Sequence, residues 1–312
     1  MGLECNMFTK WYALDAGAYT TRLYDINSEQ WRECRSCYGV HEGLIEQIGN
    51  DALAYVHMDY KHQVRYVFDA GKVKQDPYDL IQKLMKDMLV YTHLFRPAFL
   101  VSLPMDSEKS DCKKWKESLT RLGARQIRFV SSLDVLDRDE YSFLIHVGHS
   151  LCEMGLYIHG EKKFHKSFPI AGKRMDEVIQ EQIGKLNNCL ISLEDANALK
   201  HAISDILWQN KNGTITCWGM NRYQKYEEIK VRAFDVWPSM EQVEIMIVEQ
   251  AKECFKSMGM LNRQKVCRNH VYLSGGMANC FGLKQMLEKE LYCPIICTQA
   301  PSYDIISSMK EW

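Results

Sequence analysis

Residues 11–34, WYALDAGAYTTRLYDINSEQWREC, read as strand, glycine turn, strand, polar turn, strand, and residues 142–168, SFLIHVGHSLCEMGLYIHGEKKFHKSF, repeat that order. Asp15-Ala16-Gly17 of the first copy aligns with His146-Val147-Gly148 of the second. A third glycine turn, Ser274-Gly275-Gly276, follows the apolar run Val271-Tyr272-Leu273 and leads into a helical stretch, Phe281–Leu291. Glycine at such turns lets backbone N–H groups approach a phosphate with no Cβ in the way. An Asp at the end of the first strand can hold a hydrated metal ion beside those phosphates. The expected architecture is two similar α/β halves around a nucleotide cleft, with Asp15, Gly148 and Gly275 on its walls.

The rest of the composition is that of an ordinary soluble globular chain. At 312 residues it exceeds the usual single core, so two domains are expected. A net charge of −1 gives no global drive toward nucleic acid or anionic lipid. The apolar stretches, such as Phe99-Leu100-Val101 and Phe143-Leu144-Ile145, are far too short to span a bilayer. The opening MGLECNMFTKWY has no signal-peptide core, from which a cytoplasmic location is expected. Of the twelve cysteines only Cys34 and Cys37 have ligand spacing, and no second pair answers them. Reduced thiols are the expected state.

Helices follow from 3.6-residue spacing. Asp76-Pro77 opens one with Leu80, Ile81, Leu84, Met85 and Met88 on a single face. Asp106 or Ser107 opens another, which carries Trp115, Leu119 and Leu122 and stops at Gly123. Phe99–Leu103 and Ile127–Val130 read as buried strands between and after them. In the second half, Met175 to Leu186 and Ala196 to Ile206 read as helices, followed by a hairpin near Thr214–Trp218 and Glu228–Val236. Ser239-x-x-Gln242 reads as the capping-box start of a long helix. The expected division is 1–143 plus 295–312 for the first domain, with an insertion near 33–65. The second domain is 144–294, with an insertion near 171–234.

These residues resemble the bacterial actin MreB and its close relatives. Ala13-Leu14-Asp15-Ala16-Gly17-Ala18-Tyr19-Thr20-Thr21 is similar to the family's first phosphate loop, DLGTANT. Arg96-Pro97 followed by Leu100-Val101-Ser102-Leu103-Pro104 resembles its RP...VIGVP strand, and Leu122-Gly123-Ala124-Arg125 its AGAR turn. Ala171-Gly172-Lys173-Arg174-Met175-Asp176-Glu177 stands where the family has GGDEFDE. Leu273-Ser274-Gly275-Gly276-Met277 resembles its adenosine-side LTGGG. The resemblance implies an actin-like (ribonuclease H-like) ATPase fold, polymerised as protofilaments under the membrane to organise wall synthesis and cell shape. It assigns nucleotide contact to Asp15, Gly17, Ala18, Thr20, Thr21, Gly148, His149, Gly172, Glu177, Gly275, Gly276 and Met277. The implied cofactor is ATP with Mg2+, the metal standing at Asp15. Implied partners are further copies of the chain or a fuller MreB, the inner membrane surface and membrane proteins of wall synthesis.

The departures fall on the hydrolytic half. The family's second phosphate loop, DIGGGTTE, reads here His146-Val147-Gly148-His149-Ser150-Leu151-Cys152-Glu153. Its Glu-Glu-Pro, which carries the carboxylate that positions attacking water, reads Ser131-Ser132-Leu133. Phosphoanhydride hydrolysis needs a positioned water and charge stabilisation on the transferring group. Serine cannot take the water's proton at neutral pH, and an imidazolium at 146 would oppose a metal ion. The expectation is a weak ATPase at best. Leu94-Phe95, in the loop Thr92–Pro97, is placed where the family inserts an apolar pair into the membrane. Two other readings stand beside the filament one. A phosphotransferase on the same fold would need a carboxylate base and a substrate domain, and a non-polymerising actin-like adaptor would bind partners as a monomer.

Overall fold

The computed structural model describes residues 9–70, 72–73, 77–89, 96–137, 139–209, 211–268 and 270–311. The chain forms two compact units. Unit 1 comprises residues 1–54, 61–137 and 303–312; unit 2 comprises 55–60 and 138–302.

In unit 1 the strands are β1 (Thr9–Ala16), β2 (Thr20–Asp25), β3 (Gln30–Arg35), β4 (Cys37–His41), β5 (Leu44–Ile48), β6 (His62–Tyr66), β7 (Phe68–Asp69), β8 (Lys72–Val73), β9 (Arg96–Leu103) and β10 (Gln126–Ser131). The helices are α1 (Pro77–Met88) and α2 (Lys109–Arg121). The main sheet runs β10-β9-β1-β2-β3. β9 joins β1 in parallel, β2 and β3 continue antiparallel, and β10 lies parallel outside β9. Parallel neighbours require a crossover, and α1 and α2 supply the helical cover. The predicted face of α1 is the buried one: Leu80, Ile81, Leu84, Met85 and Met88 join Tyr12, Leu14, Leu23, Phe99, Val101 and Trp115 in one core. β5-β4-β6 makes a separate three-stranded sheet. Cys34 and Cys37 are both buried, at the end of β3 and the start of β4. α2 starts later than the sequence suggested. Its cap is Glu108, whose side chain and that of Asp111 bond each other's backbone N–H groups in a capping box.

Unit 2 contains β11 (Tyr141–Val147), β12 (Cys152–Ile158), β13 (Glu161–Phe168), α3 (Gly172–Asn187), α4 (Leu193–Trp208), β14 (Thr214–Met220), β15 (Tyr226–Arg232), α5 (Ala233–Ser257), α6 (Met260–Val266), β16 (Val271–Ser274), α7 (Leu283–Leu291) and β17 (Ile296–Cys297). Helix α8 (Asp304–Ser308) follows and belongs to unit 1. The main sheet of unit 2 runs β13-β12-β11-β16-β17. β16 joins β11 in parallel, β12 and β13 continue antiparallel, and β17 lies parallel outside β16. This is the plan of the first sheet, strand for strand. The β14–β15 hairpin ends at Arg232, and α5 starts at Ala233, six residues before the expected Ser239. Pro238 sits within the first two turns of that helix, and the run Ala233, Val236, Met240, Val243 and Ile247 is buried along it. That apolar face carries the helix through Pro238 and past the expected start at Ser239. Among the described residues no helix is long and apolar enough to cross a membrane.

Candidate functional site

In unit 1 the first loop closes the hairpin between β1 and β2. A Cβ on Gly17 would lie 2.5 Å from the Thr20 carbonyl oxygen, so the turn is tight enough to demand glycine. Ser36 braces it from below. Its Oγ donates to the Gly17 carbonyl at 2.6 Å and lies 2.8 Å from the Thr21 Oγ1, and its N–H donates to the Tyr19 carbonyl. The Thr21 hydroxyl is therefore buried and spent on the brace. Ala18 packs against the unit 1 core, and Thr20 opens β2.

Asp15 closes β1. Its register partners are Arg22 on β2 and Ser102 on β9. Arg22 Nη1 stands 3.7 Å from Asp15 Oδ2, while the Arg22 Nε faces Glu33 at 3.5 Å. Burial pushes the Asp15 carboxyl up to about 6, against the pull of Arg22 in the other direction. At neutral pH it is ionised and paired. Ser131 ends β10, and Ser132 follows it in the turn. Ser132 Oγ donates to the Leu103 carbonyl at 2.9 Å, and Ser131 Oγ accepts from the Leu133 N–H at 3.3 Å. Both hydroxyls are engaged by backbone.

In unit 2 the second loop joins β11 to β12. The Gly148 N–H donates to the Leu151 carbonyl inside the turn, and the His146 Nε2 would sit 3.5 Å from a Cβ at Gly148. His146 Nδ1 is 3.3 Å from Ser274 Oγ on the neighbouring β16. The carbonyls of Gly148 and His149 accept from the N–H groups of Gly172 and Lys173, at 3.1 and 2.5 Å. Two of the first amides of α3 are thus satisfied by the loop itself. Behind that contact lies a buried cluster. Asp176 accepts from Lys200 Nζ at 2.8 Å and from Asn197 Nδ2 at 3.2 Å, and His149 Nδ1 lies 3.6 Å away. Burial raises the Asp176 carboxyl above its ordinary range, opposed by Lys200 and Asn197. Glu177 is half-exposed and pairs with Arg174 at 3.2 Å.

The third turn leaves β16. Gly275 has φ +91°, and a Cβ there would lie 2.3 Å from the Val147 carbonyl oxygen, so no other residue fits. Its N–H donates to the Pro301 carbonyl. Gly276, by contrast, would point a Cβ into open space, with nothing within 4 Å. The Met277 side chain is buried in the unit 2 core against Cys280, which leaves only its backbone for a ligand.

Unit 2 therefore brings His146, Gly148, His149, Gly172 and Gly275 together, and unit 1 brings Asp15, Gly17, Thr20 and Thr21 together. Leu94 and Phe95 lie outside the described residues. The sequence reading passed over Arg22, Ser36, Asn197 and Lys200. Arg22 was within reach, because a short hairpin turn puts it directly across from Asp15 and opposite charges pair there. The others are contacts made by folding between distant segments, with no local pattern. The residues present at Asp15 do not suit a divalent cation. Asp15 is committed to a guanidinium, and among the described residues no three His, Cys, Asp or Glu side chains converge as a metal site.

The model of the MreB/Mbl protein family matches residues 74–311. Two structures of MreB5 of Spiroplasma citri, one bound to AMPPNP and one to ADP, are similar at TM-score 0.85 and 14% identity. They cover 97% and 98% of this chain and 95% and 96% of their own. A MamK double helical filament is similar at TM-score 0.77 and 14% identity, over 97% of this chain and 98% of its own. No curated protein sequence matches. The likenesses establish the actin-like fold, in agreement with the duplicated sheets.

Proposed function

We propose, from the premise that this chain belongs to the MreB/Mbl family, that it is a filament-forming or filament-regulating bacterial actin homologue. In this reading it works at the inner membrane face, keeps contact with nucleotide and has lost efficient hydrolysis. The observation that carries the last point is the state of residues 131 and 132. Where a water-positioning carboxylate is expected, two serine hydroxyls are bound to backbone. In unit 2, His146, bonded to Ser274, likewise brings no carboxylate.

Retained nucleotide contact is supported by the relatives described with AMPPNP and ADP, and by the open face of Gly276. Asp15, Gly17, Ala18, Thr20, Thr21, Gly148 and His149 would stand on the phosphate side, and Gly172, Glu177, Gly275, Gly276 and Met277 on the nucleoside side. Bound nucleotide would supply a ligand that steadies the loops rather than a bond to be cleaved. Self-association is supported by the filament form of MamK. Attachment to the membrane rests on the sequence Leu94-Phe95, and wall-synthesis membrane proteins or a fuller MreB are the partners this role calls for.

The test is sedimentation and negative-stain microscopy of the purified chain, alone and mixed with an MreB of intact hydrolytic motifs. Filaments, or a changed length or number of the other protein's filaments, are expected. A monomer that leaves those filaments unaltered would contradict the filament reading and favour an adaptor.

A further inference from the structure

We propose that Arg22 takes the place of a divalent cation at Asp15, so that a nucleotide polyphosphate meets the first loop without Mg2+. This rests on the nucleotide contact proposed above and specifies its chemistry.

The hairpin register sets Arg22 directly across from Asp15, and the two side chains are only 15% and 11% exposed. The guanidinium is held from two more sides. Glu33, its register partner on β3, lies 3.5 Å from Nε, and the ring of Tyr303 lies 4.5 Å from Cζ. A guanidinium gripped in this way is a fixed charge rather than a swinging one. Glu33 is 53% exposed, so its opposing charge is screened by water. On the other flank of Asp15, the Ser102 hydroxyl is buried and has no hydrogen-bond partner among the described residues.

A magnesium ion needs oxygen ligands in octahedral array and strong negative charge around them. Here the one carboxylate at the strand end is neutralised by a cation within 4 Å, which also repels an incoming dication. Arginine can supply what the metal would have supplied for binding. It carries a permanent positive charge and several N–H donors in a planar fork that suits phosphate oxygens. It cannot supply the metal's octahedral template, which agrees with a site that holds nucleotide without turning it over.

The experiment is a fluorescence-anisotropy titration of the full chain with mant-ATP, in excess Mg2+ and in EDTA. Wild type, Arg22→Leu and Arg22→Lys are compared, with circular dichroism to confirm folding. Wild-type affinity is expected to change less than about 3-fold between the two conditions. Arg22→Leu should weaken binding in EDTA by roughly 10-fold or more and recover part of it with Mg2+, because Asp15 is freed for the metal. Arg22→Lys should remain indifferent to Mg2+. A wild type that loses about 10-fold or more in EDTA overturns the inference while leaving nucleotide contact intact. Absence of binding in both conditions overturns the inference and the nucleotide contact together. Should Arg22→Leu not fold, the wild-type and Arg22→Lys arms still decide.

Discussion

The two main sheets follow one plan, yet the ends of their central strands carry different chemistry. In unit 1 the last residue but one of β1 is Asp15, held by Arg22, and the turn beyond the strand is braced by Ser36. In unit 2 the last residue but one of β11 is His146, bonded to Ser274, and the carbonyls of the turn beyond the strand cap α3. The glycines occupy matching places in both turns, because close backbone contacts leave room for nothing larger at Gly17 and little at Gly148. Backbone geometry is imposed by packing and applies to both copies. Side-chain chemistry is free to differ between them, and at the matching position only unit 1 carries a carboxylate.

If packing alone dictates the glycines, the largest effect should come from Gly275→Ala. Its Cβ would collide with the Val147 carbonyl at 2.3 Å in a backbone at φ +91°. A loss of about 4 kcal/mol or more is expected, enough to unfold unit 2. Gly276→Ala, one residue on and facing open space, should change stability by less than about 1 kcal/mol. Thermal denaturation of both variants measures the contrast, and equal losses would break it.

The units should also differ in pH response. Glu244 on α5 is fully buried, with neither carboxyl oxygen hydrogen-bonded among the described residues, and burial, with Glu241 adding to it, pushes it up to about 9. Unfolding releases that proton only between the ordinary glutamate value and the raised one, so stability falls steadily as pH rises from about 4.5 to about 9. Asp15 acts in the same direction over a narrower window, from 3.8 to about 6. Between pH 6 and 9, then, unit 2 should weaken while Asp15 adds nothing further. Glu244→Gln should flatten that slope and gain on the order of 3 kcal/mol at pH 8. Hydrogen exchange resolved by peptide, at pH 6 and 8, reads the two units separately. A slope unchanged in the variant would show that another group titrates.

A smaller effect tests the braces. Ser36→Ala leaves the Gly17 carbonyl and the buried Thr21 hydroxyl without their partner and should cost about 1–3 kcal/mol. Ser274→Ala, whose contacts are longer at 3.3 and 3.4 Å, should cost less than about 1 kcal/mol. Denaturant midpoints compare the two, and reversed magnitudes would show that the second turn is the more rigid. The last contrast lies in the sequences that precede the parallel strands: Thr92-His93-Leu94-Phe95 offers an apolar pair, whereas Cys267-Arg268-Asn269-His270 is polar. Changing Leu94 and Phe95 to Ser should lower liposome co-sedimentation a few-fold with the fold intact, since one apolar pair gives only shallow attachment. No change would remove membrane contact from the account.

Much of this was legible in the sequence. The duplicated strand-turn-strand units, the buried face of α1 and the demand for glycine at 17 and 275 are local patterns tied directly to backbone geometry. The start of α5 falls before Ser239 because Ser239-x-x-Gln242 only imitates a capping box, while the apolar run from Ala233 carries the helix earlier. The commitments that decide the chemistry were less visible. The hydroxyls of Ser131 and Ser132 could be read as free for water until the fold placed Leu103 beside Ser132. Met277 matched a ligand-side motif, yet its side chain is drawn into the core by the apolar wall around Cys280.

Steady-state phosphate release from ATP by the wild-type chain tests the loss of hydrolysis most directly. With no carboxylate at 131, 132 or 146, and both serine hydroxyls engaged by backbone, turnover near background is expected, and Asp15→Ala should leave it there. Robust wild-type turnover that Asp15→Ala abolishes would contradict the account, because some other residue would then be positioning the water and Asp15 would still be serving the reaction.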